Sequence, residues 1–124
     1  MLLMSKPGAI RRIKSYSTAR GHVYQYQFHD FKPGERDRVP GNEYVYYVSS
    51  DRKTMFRICI FVHRDAIERW SERAGRMLTG AEEYAVAKMR LIQAFDDVEE
   101  IAAPQAELSV DDSNLEQLIE RLNL

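Results

Sequence analysis

The chain of 124 residues contains a single cysteine, Cys59. One cysteine cannot form an intrachain disulfide, and it cannot by itself supply a zinc site built from thiolates. Cys59 lies inside an apolar run, where a cysteine usually behaves as a small buried hydrophobe. The composition therefore excludes a disulfide scaffold and predicts a structural role for this thiol.

Long apolar runs are also missing. The opening Met-Leu-Leu-Met provides four apolar residues before Lys6 and Pro7. A membrane-spanning helix needs about 20 apolar residues, and the apolar core of a signal peptide needs about 7 to 15. We therefore expect a cytoplasmic protein without a membrane partner.

The short motifs of common enzymes are absent from the sequence. It has no phosphate-binding glycine loop, no Gly-x-Ser-x-Gly and no His-Glu-x-x-His. The three histidines, His22, His29 and His63, lack the paired spacing of zinc or di-iron sites. The sequence thus predicts no catalytic residues, no metal and no cofactor, and it leaves open an enzyme whose active site the sequence does not reveal.

Cys59 and His63 are the first pair to consider as a nucleophile and its base. On one strand, four residues separate them by roughly 13 Å, whereas proton transfer needs about 3 Å. The carboxylates between residues 82 and 100 fall on the outer side of a predicted amphipathic helix. Neither set predicts catalysis.

The sequence has an ordinary globular composition with an uneven distribution of charge. Apolar residues make up 44% and charged residues 30% of the chain, which is typical of one soluble domain. Residues 1–64 contain 12 Lys and Arg but only 5 Asp and Glu. Residues 65–124 contain 6 Lys and Arg and 14 Asp and Glu. This split favours an anionic partner for the basic half, or contact between opposite halves of two copies.

The central strand is predicted over residues 54–62. Alternation places four apolar side chains on one face, those of Phe56, Ile58, Ile60 and Val62. The other face is apolar too, through Met55, Cys59 and Phe61. Residues 44–49 form a hairpin with this strand, and some other element must cover the second apolar face.

The first part of the chain predicts two strands and a loop. Residues 9–17 indicate an edge strand, and residues 22–28 indicate a strand whose aromatic face is buried. Residues 32–43 contain two Pro-Gly pairs, which favour type II turns. We therefore expect a long exposed loop there, and long loops are candidate binding elements.

Two helices are predicted after the central strand, each starting with a capping box in which side chains satisfy free backbone amides. The first box is Asp65 with Glu68, and its helix ends at Gly75. The second is Thr79 with Glu82, and its helix continues to residue 102.

A linker is predicted after Pro104, followed by a short helix over residues 114–122 that Ser113 caps. Its apolar stripe consists of Leu115, Leu118, Ile119 and Leu122. A helix of this length is marginal alone and must dock on another surface. If it folds back, it covers Met55, Cys59 and Phe61, and if it reaches across, it joins two chains.

The predicted fold class is α+β. It consists of a small antiparallel sheet of about four strands, a two-helix hairpin packed on one face and a short C-terminal tail helix. Residues 1–103 form the α+β domain, and residues 104–124 form the linker and the amphipathic helix.

The favoured function is a non-enzymatic interaction module, a homodimeric adaptor or regulatory subunit that binds itself or another protein. The predicted loop over residues 32–43 and the tail helix supply the contacts. The predicted partner-binding residues are Leu115, Leu118, Ile119, Leu122, Met55 and Phe61.

The alternative function is nucleic-acid binding by the basic, tyrosine-rich half of the chain. Sheets that bind single strands combine cationic side chains for phosphates with aromatic faces on which bases stack. The candidate residues are Arg11, Arg12, Lys14, Tyr16, Arg20, Arg36, Arg38, Arg52 and Lys53.

Overall fold

One curled sheet of five strands organises the residues that the computed structural model describes, 12–97 and 107–124. The strands are β1 (Lys14–Ser17), β2 (Val23–Arg36), β3 (Val39–Ser49), β4 (Phe56–His63) and β5 (Glu107–Val110). The helices are α1 (Arg64–Ala74), α2 (Gly80–Asp97) and α3 (Leu115–Arg121). The predicted α+β class is confirmed, with five strands in place of about four. The predicted strand residues 9–11 and helix residues 98–102 lie outside the described ranges.

The strands follow chain order across the sheet, from β1 to β5. The first four are antiparallel neighbours, whereas β5 runs parallel to β4, and α1 and α2 lie between these two strands in the chain. The prediction of a linker is therefore wrong over Glu107–Val110, and the sheet is not wholly antiparallel. Four residues are too few for a clear period of two, so the pairing with β4 decides their conformation.

Strands β2 and β3 form one long hairpin, so the prediction of a loop over residues 32–43 is wrong. The strands pair as far as Arg36 and Val39, and the turn residues Asp37 and Arg38 have φ of 53° and 66°. Positive φ at both central residues is the geometry of a type I′ turn. The prolines of this segment are tolerated at the sheet margin: β1 pairs with β2 only as far as Tyr26, and β4 pairs with β3 only from Gly41.

The main core lies between one face of the sheet and the helices. It contains the predicted inward residues Ile58, Ile60 and Val62, together with Tyr24 and Tyr26 of β2. The helices contribute five large or central side chains, those of Trp70, Val86, Leu91, Phe95 and Leu118. The prediction that the aromatic face of the second strand is buried is confirmed for these two tyrosines.

Of the two predicted capping boxes, the structure contains one. Thr79 and Glu82 exchange the two hydrogen bonds of a capping box, at 2.9 and 3.1 Å. The box predicted at Asp65 is wrong, because β4 passes directly into α1 and His63 is already the N-cap position. Asp65 instead lies 3.5 Å from Arg69. Within the described ranges, every helix is too short or too polar to span a membrane.

The tail helix α3 packs against α1 and α2, on the same side of the sheet as the other helices. Its Leu115, Leu118 and Ile119 are buried in the main core. The prediction that a folded-back tail covers the second sheet face is therefore wrong. The predicted cap at Ser113 is also wrong, because the cap position is Asn114.

The second sheet face is covered in part by the hairpin of β2 and β3. Cys59 and Phe61 are buried there, at 2% and 1% exposure. The Arg36 guanidinium lies over the Phe61 ring, 4.9 Å from its centre, and donates hydrogen bonds to the Leu108 carbonyl and the Ser109 hydroxyl. A charged side chain from the hairpin thus takes the place that the tail was expected to occupy.

Candidate binding pocket

A β-bulge in β2 changes which side chains face the helices. Phe28 pairs with Tyr46 and Phe31 pairs with Tyr44, so β2 uses three residues where β3 uses two. In a regular strand, residues three apart point to opposite faces. The extra residue at the bulge places Phe28 and Phe31 on the same face of the sheet.

The two phenylalanines form one wall of an open pocket of about 490 Å³. It lies between the hairpin of β2 and β3 and the N-terminal turn of α2. Tyr44 and Asn42 line it from β3, and Glu83 and Tyr84 line it from α2. Its volume lies within the range of about 300 to 1,000 Å³ that is usual for ligand sites.

Four aromatic rings line this pocket and contact one another. Phe28 meets Tyr84 edge to face with ring centres 5.3 Å apart, and Phe31 lies 5.0 Å from Tyr44. Tyr44 and Tyr84 are 6.1 Å apart. Because aromatic faces carry partial negative charge, a cation that lies over the face of such a ring is attracted to it. We call Phe28, Phe31, Tyr44 and Tyr84 the aromatic cluster.

Glu83 supplies a fixed carboxylate beside the aromatic cluster. Its Oε2 accepts hydrogen bonds from the Tyr44 hydroxyl at 2.5 Å and from Asn42 Nδ2 at 2.8 Å. Its backbone N–H donates to the Thr79 carbonyl at 2.9 Å, within the capped first turn of α2. The carboxylate is therefore held from both the sheet and the helix.

The Tyr44 hydroxyl remains a hydrogen-bond donor across the physiological pH range. Burial, and then the hydrogen bond to Glu83, raise the pKa of Tyr44 far above its usual value near 10. A protonated phenol donates to a carboxylate, which is the arrangement observed. Tyr44 is therefore the donor and Glu83 the acceptor in this hydrogen bond.

The pocket combines an aromatic lining with a single carboxylate. Of the described residues that line it, Glu83 is the only carboxylate, and none is a histidine, lysine or cysteine. The described parts of the chain contain no group of three or more His, Cys, Asp or Glu residues arranged to hold a metal. Rings together with one anion can select a ligand that is both apolar and cationic.

Cys59 lies away from this pocket, on the second sheet face. Burial, and then the neighbouring Glu43, raise the pKa of Cys59 to about 11. The thiol donates to Glu43 Oε1 at 3.1 Å, and Arg36 lies 4.0 Å from the sulfur. Since the thiolate is the reactive form, this cysteine has the environment of a structural residue.

The predicted partner-binding residues do not form one surface. The leucines of α3 and Ile119 are buried under the helices, and Leu122 packs at their margin. Phe61 is buried on the opposite face of the sheet, and Met55 is exposed near the start of β4. Partner binding through these side chains stays a prediction, and the monomer already uses most of them in its own core.

The predicted nucleic-acid-binding residues are divided between the two ends of the sheet. Arg20, Arg52 and Lys53 lie in turns at one end, and Arg36 and Arg38 lie at the other end of the 14-residue strand β2. Arg12, Lys14 and Tyr16 lie at or just before β1, and Arg11 is outside the described residues.

The aromatic side chains are placed unfavourably for stacking on bases. Tyr24, Tyr26, Tyr44 and Tyr46 are buried under the helices. Tyr16 donates to Asp96 at 2.9 Å and stacks on Phe95. Nucleic-acid binding stays a prediction, without a continuous basic and aromatic surface in the described residues.

No protein-family model, curated protein or solved structure gives a significant match to this chain. The functional conclusion therefore rests on the chemistry of the pocket. The sequence carries one signal that points to it, the occurrence of Phe28 and Phe31 close to Tyr44 and Tyr46 in consecutive segments. The contribution of Glu83 and Tyr84 has no local signal, because these residues are about 40 positions further along the chain.

Proposed function

We propose that this protein is a non-enzymatic binding module that holds an organic cation in its aromatic pocket. The observation that supports this most strongly is the bulge in β2, which places Phe31 beside Phe28 near the carboxylate of Glu83. Bulges commonly redirect a side chain next to a functional site. The proposal keeps the interaction-module class predicted from sequence and assigns the contact to the pocket.

The combination of rings and carboxylate accounts for the preference for positive charge. A cation over an aromatic ring gains about 0.5 to 1 kcal/mol at an exposed site and about 2 kcal/mol or more when it loses its water. In an open pocket, four such contacts amount to roughly 2 to 4 kcal/mol, which corresponds to a Kd of about millimolar or weaker. A small free cation should therefore bind weakly, and a partner that carries the cation should bind more tightly through added contacts.

The proposal is tested with choline and with its neutral analogue 3,3-dimethylbutan-1-ol, in which carbon replaces nitrogen. Each compound is titrated into isotopically labelled protein, and chemical shifts of Phe28, Phe31 and Tyr84 are followed by NMR. We expect saturable shifts with choline at about millimolar concentration and at least about fivefold weaker binding of the alcohol. Equal affinities would show that the pocket recognises shape alone, and the absence of shifts would contradict the proposal.

A further inference from the structure

The two oxygens of the Glu83 carboxylate have different surroundings. Oε2 accepts both hydrogen bonds, from Tyr44 and from Asn42. Oε1 accepts none from any residue in the described ranges. A carboxylate oxygen offers about two lone pairs, so the protein occupies one oxygen fully and leaves the other for a ligand.

This arrangement discriminates among cationic head groups by the donors they carry. A guanidinium binds a carboxylate best through two parallel hydrogen bonds, one to each oxygen, and Oε2 is already occupied. A primary ammonium carries three N–H donors, and Glu83 Oε1 would accept a hydrogen bond from one of them. The other donors would lose their bound water beside the aromatic cluster without gaining an acceptor. A quaternary ammonium carries none and would leave Oε1 without a donor.

A tertiary ammonium has one N–H and three carbon substituents. Its single donor matches the single open oxygen, and its carbon substituents match the rings of Phe28, Phe31 and Tyr84. On the basis of the proposed function, we infer that the pocket is specific for a tertiary ammonium group of the dimethylalkyl type. The N–H donates to Glu83 Oε1, and the methyl groups pack against the aromatic cluster.

The test is a titration at neutral pH with four compounds that share a butyl stem. They are N,N-dimethylbutylamine, butyltrimethylammonium, butylamine and butylguanidine, all cations at this pH. We expect the tertiary amine to bind on the order of tenfold more tightly than each of the others, the factor expected for one charge-assisted hydrogen bond. Equal or tighter binding of the guanidine or of the quaternary compound would overturn the inference.

The variant Glu83→Gln tests the role of the carboxylate oxygen. Its amide oxygen can still accept from Tyr44 and Asn42, and its NH₂ group then occupies the position of Oε1, where it opposes an incoming N–H. We expect the preference for the tertiary over the quaternary compound to vanish, while the exposed control Glu116→Gln retains it. A preference that survives in Glu83→Gln would overturn the assignment.

Failure of the inference differs from failure of the proposed function. If all four cations bind in the pocket with similar affinity, the cation site stands and its specificity is wrong. If none of the four shifts the signals of the aromatic cluster, both are wrong.

The tertiary ammonium can belong to a free metabolite or to a dimethylated lysine side chain, since the two share the same head group. A short glycine-flanked peptide that carries one dimethyllysine separates these sources when compared with N,N-dimethylbutylamine. Tighter binding of the peptide identifies a polypeptide source, and equal binding identifies a small molecule. Either result supports the inference, whereas preference for the unmodified lysine peptide contradicts it.

Discussion

The side chain of Phe31 is partly exposed to solvent but is held in place at the pocket. Its side chain is 45% exposed, yet its ring lies 5.0 Å from that of Tyr44 at the margin of the pocket. A large apolar side chain at the surface contributes little to stability, because much of its area remains in water. Its contribution is therefore expected in binding.

Replacing Phe31 with alanine should weaken cation binding and leave the fold stable. We expect Phe31→Ala to raise the Kd of choline about two- to fivefold, since one exposed ring contact is lost. The free energy of unfolding should fall by less than about 1 kcal/mol. NMR titration and urea denaturation measure the two effects.

Met77→Ala is the matched control, because Met77 is an even more exposed apolar residue, at 67%, and does not line the pocket. We expect this variant to change neither the Kd nor the stability. If both variants weakened binding equally, the effect would come from general surface hydrophobicity.

At the residue scale, the sequence predicted burial better than it predicted the pocket. Cys59 and Ile58 were assigned to apolar strand faces, and both are buried. To predict the pocket, one would have to know that Tyr84 of α2 lies against Phe28 of β2. Such a contact between distant positions is set by tertiary packing and leaves no local pattern.

At the scale of elements, periodicity predicted most strands and helices but not their extent. The hairpin of β3 and β4 was predicted from its aromatic and β-branched residues, and Thr79 was identified correctly as a helix cap. The Pro-Gly pairs indicated turns in residues 32–43, whereas the turn formed at Asp37 and Arg38. The pairing of two long strands outweighed the local preference of proline and glycine.

The bulge in β2 also had no signal in the sequence. It falls between Phe28 and Asp30, where no glycine marks it. Bulges that do not need positive φ accept most residue types, so composition does not reveal them. The feature that builds the pocket is therefore one that strand patterns alone could not predict.

The close approach of β3 and β4 depends on Gly41. A Cβ atom at this position would lie 2.3 Å from the Val62 carbonyl oxygen and 2.6 Å from Phe61 Cζ. We expect Gly41→Ala to lower the free energy of unfolding by about 1 to 3 kcal/mol, the usual cost of overpacking. Urea denaturation measures this change.

Gly80→Ala is the comparison for this prediction, because a Cβ atom at Gly80 would have no neighbour within 4 Å. Alanine is also the better helix former at the start of α2, so we expect unchanged or slightly higher stability. A Gly41→Ala variant as stable as Gly80→Ala would show that the two strands can separate without cost.

At the scale of the whole molecule, the tail helix belongs to the helical layer. The sequence correctly predicted an amphipathic helix that needs a surface to dock on, but it could not decide which surface. The docking surface of the tail helix depends on β5, which pairs with β4 and leads the chain back to the helices. A strand of four residues is too short to predict with certainty from its own pattern.

The docking of the tail predicts a large effect of Leu118 on stability. Leu118 is fully buried, and Leu118→Ala should lower the free energy of unfolding by about 2 to 5 kcal/mol at any protein concentration. The control Leu124→Ala changes a residue that is 40% exposed, and we expect a loss below about 1 kcal/mol. A loss for Leu118→Ala that depends on protein concentration would indicate that the helix docks on a second copy instead.

The most direct test of the cation site is an isotope-filtered NOE experiment on the protein with bound choline. The methyl protons of choline should give NOEs to ring protons of Phe28, Phe31 and Tyr84. They should give none to Tyr47, whose ring contacts His29. NOEs confined to Tyr47, or spread over all exposed aromatic rings, would contradict the central claim that this pocket binds an organic cation.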